Sequence, residues 1–291
     1  MSYVVLTTRI LLYMFRTKPR KRRCRRRYPV NLNPSLDAAK NSTVNSDAIK
    51  NVFIAFFDVL AFKQLSDTYG TRDLSNRYLN LINNEIVKLN LSGIAFKQPD
   101  GSYRCLHHKD SQLYKIISDS VIVKSANDSD TEFLYILRTA NAIMKQSLKT
   151  PFRLRGAIGY GDFLSSSTDE WDGSKMRVND IWLGSSIVDA YTTESEQKWS
   201  NCILTDKCMT FIKNNKYLDK PGIRRLLVDY SSIPLKDNKR IKGLVVDSSG
   251  SQGDKDIIDP IFQESTDERA NEIIKNTAEY ISWLRSTKTS Q

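Results

Sequence analysis

Histidine is nearly missing from this chain: only His107 and His108 occur in 291 residues, side by side. Adjacent side chains on a strand point to opposite faces, so the pair makes a poor joint metal site. A His-rich zinc centre, or a triad needing a separated histidine, is excluded. Cysteine is sparse too. Cys24, Cys105, Cys202 and Cys208 form no C-x-x-C pair, which argues against a zinc ribbon or disulfide scaffold and fits a reducing, cytoplasmic setting. The apolar residues 3–15 are broken by Arg9 and fall short of the roughly 20 residues that a spanning helix needs. Basic residues follow that stretch instead of preceding it, the reverse of a secretory signal. With 12 Gly, 8 Pro, 40% apolar and 26% charged residues, the composition is that of a globular protein with a full core.

Acidic residues are absent from positions 1–27, which carry ten of the chain's basic side chains. Setting those ten aside brings the formal charge of the other 264 residues from +11 down to about +1. A nucleic-acid-binding domain carries its basic footprint on the folded surface, and here it sits in a tail, so no nucleic-acid partner is expected. A tail of this kind reads first as an unstructured leader, or as residues upstream of a true start at Met14. Its alternative is a peripheral contact with anionic lipid. The organisation expected is a tail and linker over 1–48 and one compact domain over 49–291.

Val52–Phe57 is a continuous apolar run ending at Asp58, the pattern of a strand buried on both faces. Leu74, Tyr78, Leu81, Ile82, Ile86 and Leu89 recur at helical spacing. A strand-like stretch covers Leu113–Lys124, a helix carries Phe133 to Leu148, and another strand covers Phe152–Tyr160. Ser165–Lys175 reads as a polar excursion. Ile181–Glu194 is helical in its second half, Asn201–Leu204 is strand-like, and Ala270–Leu284 is an amphipathic helix with Ser265 or Thr266 as its cap. Adjacent strands without a helix between them predict an α+β layered sandwich, not a doubly wound parallel sheet.

Two acids stand out. Asp58 and Asp119 both interrupt apolar strand-like segments, where a lone carboxylate is costly unless paired or bound to a cation. If the two converge at one sheet end, they make a site for divalent ions and in-line displacement at phosphorus. Taken separately, Asp58 reads as a helix N-cap and Asp119 as a turn residue.

Phe57-Asp58-Val59-Leu60-Ala61-Phe62 resembles the element that opens the catalytic domain of class III nucleotide cyclases. Ile117-Ser118-Asp119-Ser120 is similar to the hairpin carrying their second metal-binding aspartate. Leu154-Arg155-Gly156-Ala157-Ile158-Gly159 resembles their Arg-x-Gly strand, and Ile181 to Tyr191 resembles the segment leading into their late catalytic helix. The four elements occur in family order over about residues 50–205. Ser-Asp-Ser, Arg-Gly-Ala-Ile and Gly-x-x-Ile-Val-x-Ala-Tyr most resemble the pyrimidine cyclases of bacterial Pycsar anti-phage systems. The resemblance implies a ferredoxin-like cyclase sandwich, with a mostly antiparallel sheet and helices packed on it. It implies two Mg²⁺ or Mn²⁺ ions on Asp58 and Asp119, and conversion of a nucleoside triphosphate to its 3′,5′-cyclic monophosphate and pyrophosphate. Val59, Leu60, Ala61 and Phe62 would contribute backbone N–H groups to the phosphates. Lys115 and Asp180 fall on the positions that read the base in adenylate cyclases. A homodimer with sites at its interface, and a separate effector sensing the cyclic pyrimidine, are implied as partners.

There are departures. Ala61 replaces the family glycine. The transition-state Asn and Arg of purine cyclases fall on Val188 and Thr192, neither of which can neutralise charge, so Arg155 becomes the candidate for that task. UTP is the expected substrate and CTP the alternative. A catalytically inactive, nucleotide-sensing module is the competing reading. A polymerase palm or diguanylate cyclase is disfavoured because the Gly-Gly-acidic signature is absent.

Overall fold

The computed structural model describes residues 44–46, 49–92, 94–97, 103–106, 113–150, 152–171, 176–248 and 268–289. The chain divides into two units, Met1–Ser42 and Thr43–Gln291, and every described residue belongs to the second. The basic tail, the His pair and the cap expected at Ser265 or Thr266 lie outside the described residues.

The elements in chain order begin with β1 (Val44–Ser46), β2 (Lys50–Val59), α1 (Phe62–Ser92), β3 (Ile94–Lys97) and β4 (Tyr103–Leu106). There follow β5 (Leu113–Ile117), β6 (Ser120–Lys124), α2 (Asp130–Leu148), β7 (Leu154–Trp171), β8 (Met176–Leu183) and α3 (Ser185–Glu196). The rest are β9 (Cys202–Leu204), α4 (Asp206–Asn214), α5 (Pro221–Arg224), β10 (Leu227–Pro234), β11 (Arg240–Val246) and α6 (Glu268–Thr289). Strands β10-β11-β9-β7-β2-β6-β5 form the main sheet in that order, with β1 and β8 paired to the outer part of β7. Only β7 and β9 run parallel among the described strand pairs. The fold is therefore α+β, a mostly antiparallel sheet with helices on it, as the sequence pattern predicts.

The uninterrupted apolar run of β2 has a physical reason: both faces of the strand are covered. Phe53, Ala55, Phe57 and Val59 pack with Leu74 and Tyr78 of α1, Phe133 and Ile136 of α2, and Ile212 of α4. Val52, Ile54 and Phe56 face the other way, against Ile187 and Ala190 of α3. Gly159 makes that second layer fit, since a Cβ there would come within 2.5 Å of the Ser186 carbonyl. A third cluster gathers Trp199, Tyr230, Tyr280 and Leu284, docking α6 onto the sheet. Among the described residues, no helix is long and apolar enough to cross a membrane.

Three differences from the sequence reading have physical causes. The polar run starting at Ser165 is strand, not excursion: β7 continues to Trp171 and pairs with β8 and β1. Backbone ladders with both neighbours hold it, so apolar alternation is not needed. Helix α1 starts earlier than its apolar spacing shows and is interrupted at Gly70 (φ 72, ψ 157), so the periodic part is the second of two segments. The strands β10 and β11 had no predicted counterpart. A register shift between Tyr230 and Ile233 breaks the two-residue period by which β10 would be read.

Ala61, in the turn between β2 and α1, has φ 58. That left-handed conformation costs an L-residue roughly 1–2 kcal/mol, and glycine nothing steric. Ala61→Gly is expected to stabilise the protein by about 1 kcal/mol, after the extra unfolded-chain entropy of glycine is counted. Urea denaturation at equilibrium measures it, and a lower midpoint for the variant would contradict the strain.

Candidate active site

Register brings the two aspartates together. Asp58 is opposite Ser120 of β6 on one side and Arg155 of β7 on the other. Ser118 and Asp119 form the two-residue turn of the β5–β6 hairpin, Ser118 taking φ 58. The Asp119 carbonyl accepts the Val59 amide at 3.0 Å and the Tyr78 hydroxyl at 3.1 Å. The turn is thus tied both to the end of β2 and to α1. Asp58 lies within β2 and is not the N-cap of α1. Asp119 is a turn residue, and the turn places it beside Asp58.

Asp58 sits in an uncomfortable electrostatic position. Burial, then the charges of Glu194 and Asp119, push its carboxyl up to about 7, against the weaker pull of Arg155 and a hydrogen bond from Ser120. Ser120 Oγ donates to Asp58 Oδ1 at 3.2 Å, and Arg155 Nη2 stands 3.9 Å from Oδ2. Arg155 is largely committed elsewhere. Its Nε donates to Glu194 Oε1 and its Nη1 to the Gln197 carbonyl at 2.8 Å. Glu194 is 2% exposed, and burial pushes its carboxyl above the usual range while Arg155 opposes the shift. Burial and the neighbouring Asp119 and Asp58 also push the Tyr78 phenol up.

This charge balance fits a divalent cation. Negative charge around Asp58 exceeds what one shared guanidinium compensates. Among the described residues, no group of three or more His, Cys, Asp or Glu side chains is placed to hold a metal alone. Two carboxylates short of a cage are the donor set that Mg²⁺ takes together with substrate phosphates and water.

The other predicted residues are placed as follows. The Val59 amide is committed to Asp119 and the Leu60 amide to the Arg153 carbonyl. The first helical bond of α1 runs from Leu65 to Ala61, which leaves the amides of Phe62, Lys63 and Gln64 ahead of it as the donors a helix start presents. Lys115 pairs with Ile122, two residues along β6 from Ser120, so Lys115 and Asp58 share one sheet face. Lys115 Nζ lies 4.3 Å from the centroid of the Trp182 ring, a cation–π contact. Asp180 is on β8 opposite Ser167, and its side chain lies outside the described residues. Val188 and Thr192 are exposed on α3.

Sequence reasoning missed Glu194, Gln197, and the roles of Ser120 and Tyr78. A signal for Glu194 existed: Ile187, Ala190 and Glu194 fall on one helical face, which puts an acid on a buried stripe. Ser120 was inside the quoted hairpin motif, and Tyr78 inside the α1 periodicity. The Gln197 contact is through its backbone carbonyl, which no residue type announces.

The sequence matches no family model and no curated protein. Solved structures similar to the chain include the adenylyl cyclase CyaB from P. aeruginosa, with 14% identity, 71% of this chain and 97% of that one covered, and a TM-score of 0.39. The non-canonical dimeric guanylyl cyclase domain of the RhoGC fusion protein from the aquatic fungus Blastocladiella emersonii has 12% identity, 69% and 98% coverage, and a TM-score of 0.43. A bacterial light-regulated adenylyl cyclase has 14% identity, 82% and 59% coverage, and a TM-score of 0.40.

Proposed function

We propose that the chain is a nucleotide cyclase of the class III type that acts on a pyrimidine nucleoside triphosphate, UTP ahead of CTP. The observation that carries the reading is the meeting of Asp58 and Asp119 at one sheet end, next to the start of α1. The ribose 3′-hydroxyl gives its proton to water as its oxygen forms a bond to the α-phosphorus, the bond from that phosphorus to the α–β bridging oxygen breaks, and pyrophosphate leaves with its electron pair. Mg²⁺ or Mn²⁺ held by Asp58 and Asp119 would acidify the 3′-hydroxyl and neutralise the pyrophosphate. The amides of Phe62 onward orient phosphate oxygens. Ser120 and the Tyr78-bound turn hold the carboxylates in place. Arg155 offers its Nη2 edge to charge developing beside Asp58. Lys115 and Asp180 are assigned to the base, with Trp182 supporting the lysine.

A homodimer is the active form in this reading. Ile117, Ile181, Leu183 and Val188 are exposed; Ile117 is on β5, the strand beyond β6 from Asp58, and the others are on β8 and α3. Apolar side chains gathered in this way mark a contact surface. The cyclic pyrimidine would be a second messenger in anti-phage defence, read by a separate effector.

The competing sensor reading draws on Val188 and Thr192, two neutral residues facing solvent on α3. Incubation with each of the four ribonucleoside triphosphates and Mn²⁺, with products resolved by mass spectrometry, separates the two. Cyclic UMP is expected, with cyclic CMP second and no product from ATP or GTP. Nucleotide binding without any cyclic product would establish the sensor. A purine cyclic product would overturn the substrate assignment and keep the cyclase.

A further inference from the structure

The last helix reaches the carboxylate pair through one connected set of contacts. On α6, Thr277 Oγ1 accepts the Ser200 amide at 2.9 Å and Asn276 Nδ2 donates to the Lys198 carbonyl at 2.8 Å. Lys198 Nζ pairs with Glu272 of the same helix at 2.9 Å. Between these anchors Trp199 stacks on Tyr230 and meets Tyr280 of α6 edge-on, at 5.6 and 5.0 Å between ring centroids. Trp199, Ser200 and Asn201 are buried, and the same segment is held to the sheet by Ser200 Oγ donating to the Leu154 carbonyl at 2.7 Å and the Lys198 amide donating to the Pro234 carbonyl at 3.0 Å.

From this segment the contacts run inward. Trp199 Nε1 donates to Gln197 Oε1, and Gln197 Nε2 donates to the Gly156 carbonyl, each at 2.8 Å. The Gly156 amide donates to the Asn201 carbonyl at 2.9 Å. Gln197 and Asn201 therefore clamp β7 at the residue after Arg155. The Gln197 carbonyl takes Arg155 Nη1. Three acceptors surround that guanidinium: Glu194 in contact, the Gln197 carbonyl, and Asp58 at 3.9 Å.

Arg155 Nε stays on Glu194 when the Gln197 carbonyl shifts, and the freed Nη edge then has Asp58, 3.9 Å from Nη2, as its next acceptor. A guanidinium seated on both oxygens of Asp58 would occupy the positions a divalent cation needs. We propose that α6 controls the carboxylate pair. Thr277 and Asn276 are positioning residues that, through Lys198–Asn201, keep Arg155 drawn off Asp58 and leave Asp58 open to the cation. This rests on the metal-site reading above. It also gives α6 a task beyond packing, because anything that lifts the helix lets Arg155 close on the site.

Thr277→Val removes the acceptor for the Ser200 amide, and Thr277→Ser keeps it. Two measurements on the full-length protein test the coupling: hydrogen exchange of the Gly156 amide, which needs neither metal nor substrate, and Mn²⁺ affinity by calorimetry. Thr277→Val should speed Gly156 exchange and weaken Mn²⁺ binding, each by about tenfold, the scale of one buried hydrogen bond. Thr277→Ser should match wild type in both. Unchanged exchange overturns the coupling, as does faster exchange with unchanged Mn²⁺ affinity, or a Ser variant that behaves like Val. A wild type that binds Mn²⁺ but makes no cyclic nucleotide overturns the cyclase reading and leaves the coupling standing. A wild type that binds no Mn²⁺ overturns both.

Discussion

Asp58→Asn is expected to abolish cyclic-nucleotide formation and, at the same time, to make the metal-free protein more stable at pH 8. The loss of activity should be about a thousandfold or more, because several kcal/mol of charge stabilisation leave with the cation. The gain in stability follows from the position of the carboxyl. Asp58 titrates near 7 in the folded protein, and burial is the main cause, while an unfolded-chain aspartate titrates near 3.9. Between those values the folded state binds more protons than the unfolded one, so stability falls as pH rises. The contribution is fully present below about pH 4 and is lost as pH climbs through about 7. Three pH units set a ceiling of about 4 kcal/mol. Asp58 keeps 26% of its side chain exposed, so solvent screening reduces the realised gain to about 1–3 kcal/mol.

Asparagine carries no charge and does not pay this penalty. Glu194 and Asp58 repel each other, so the difference between wild type and variant contains the release of that repulsion as well as the burial of Asp58. Urea denaturation with a chelator at pH 5 and pH 8 measures it. The variant's advantage should be present at pH 8 and shrink at pH 5, and added Mn²⁺ should stabilise only the wild type. A variant less stable than wild type at pH 8 would show that the carboxylate is already compensated within the protein. It would then have no need of a metal.

The fold was legible where burial dictates residue type. Val52–Phe57 announces a doubly covered strand, and Phe133 to Leu148 repeats with the period of α2. It was illegible where backbone pairing does the work. The Ser165-Ser166-Ser167 stretch is strand because β8 and β1 satisfy its amides, and nothing in its side chains says so. The site divides in the same way. Asp58 and Asp119 could be picked out because an acid in an apolar strand is costly, and their convergence then followed from a hairpin register. Arg155 could be named, but its orientation depends on Glu194 from a later helix and on a carbonyl at Gln197. Long-range acceptors of that kind have no local spacing to reveal them. Glu194 was nonetheless available as an acid on the face of α3 that carries Ile187 and Ala190, a stripe the helical reading of that segment did not draw.

Glu194→Ala is the second large effect, this time in stability. Glu194 and Arg155 are 2% and 15% exposed and in contact. Deleting one partner of a buried ion pair leaves the other charge uncompensated and costs about 3–5 kcal/mol. That is a large part of the 5–15 kcal/mol typical of a whole domain. The loss here should sit toward the lower end, since Arg155 retains the Gln197 carbonyl and has Asp58 within 3.9 Å. Glu194→Gln keeps an acceptor for Nε and should cost about 1–2 kcal/mol. Replacing both partners, Arg155→Met with Glu194→Leu, removes the stranded charge and should recover most of the loss. A double-mutant cycle from urea midpoints gives the coupling directly. Single variants whose effects simply add, or a Glu194→Ala protein as stable as wild type, would show that Arg155 is held by the Gln197 carbonyl and by Asp58 alone. In the expected case the freed guanidinium moves onto Asp58, so Glu194→Ala should also lose Mn²⁺ affinity, joining the stability of α3 to the occupancy of the metal site.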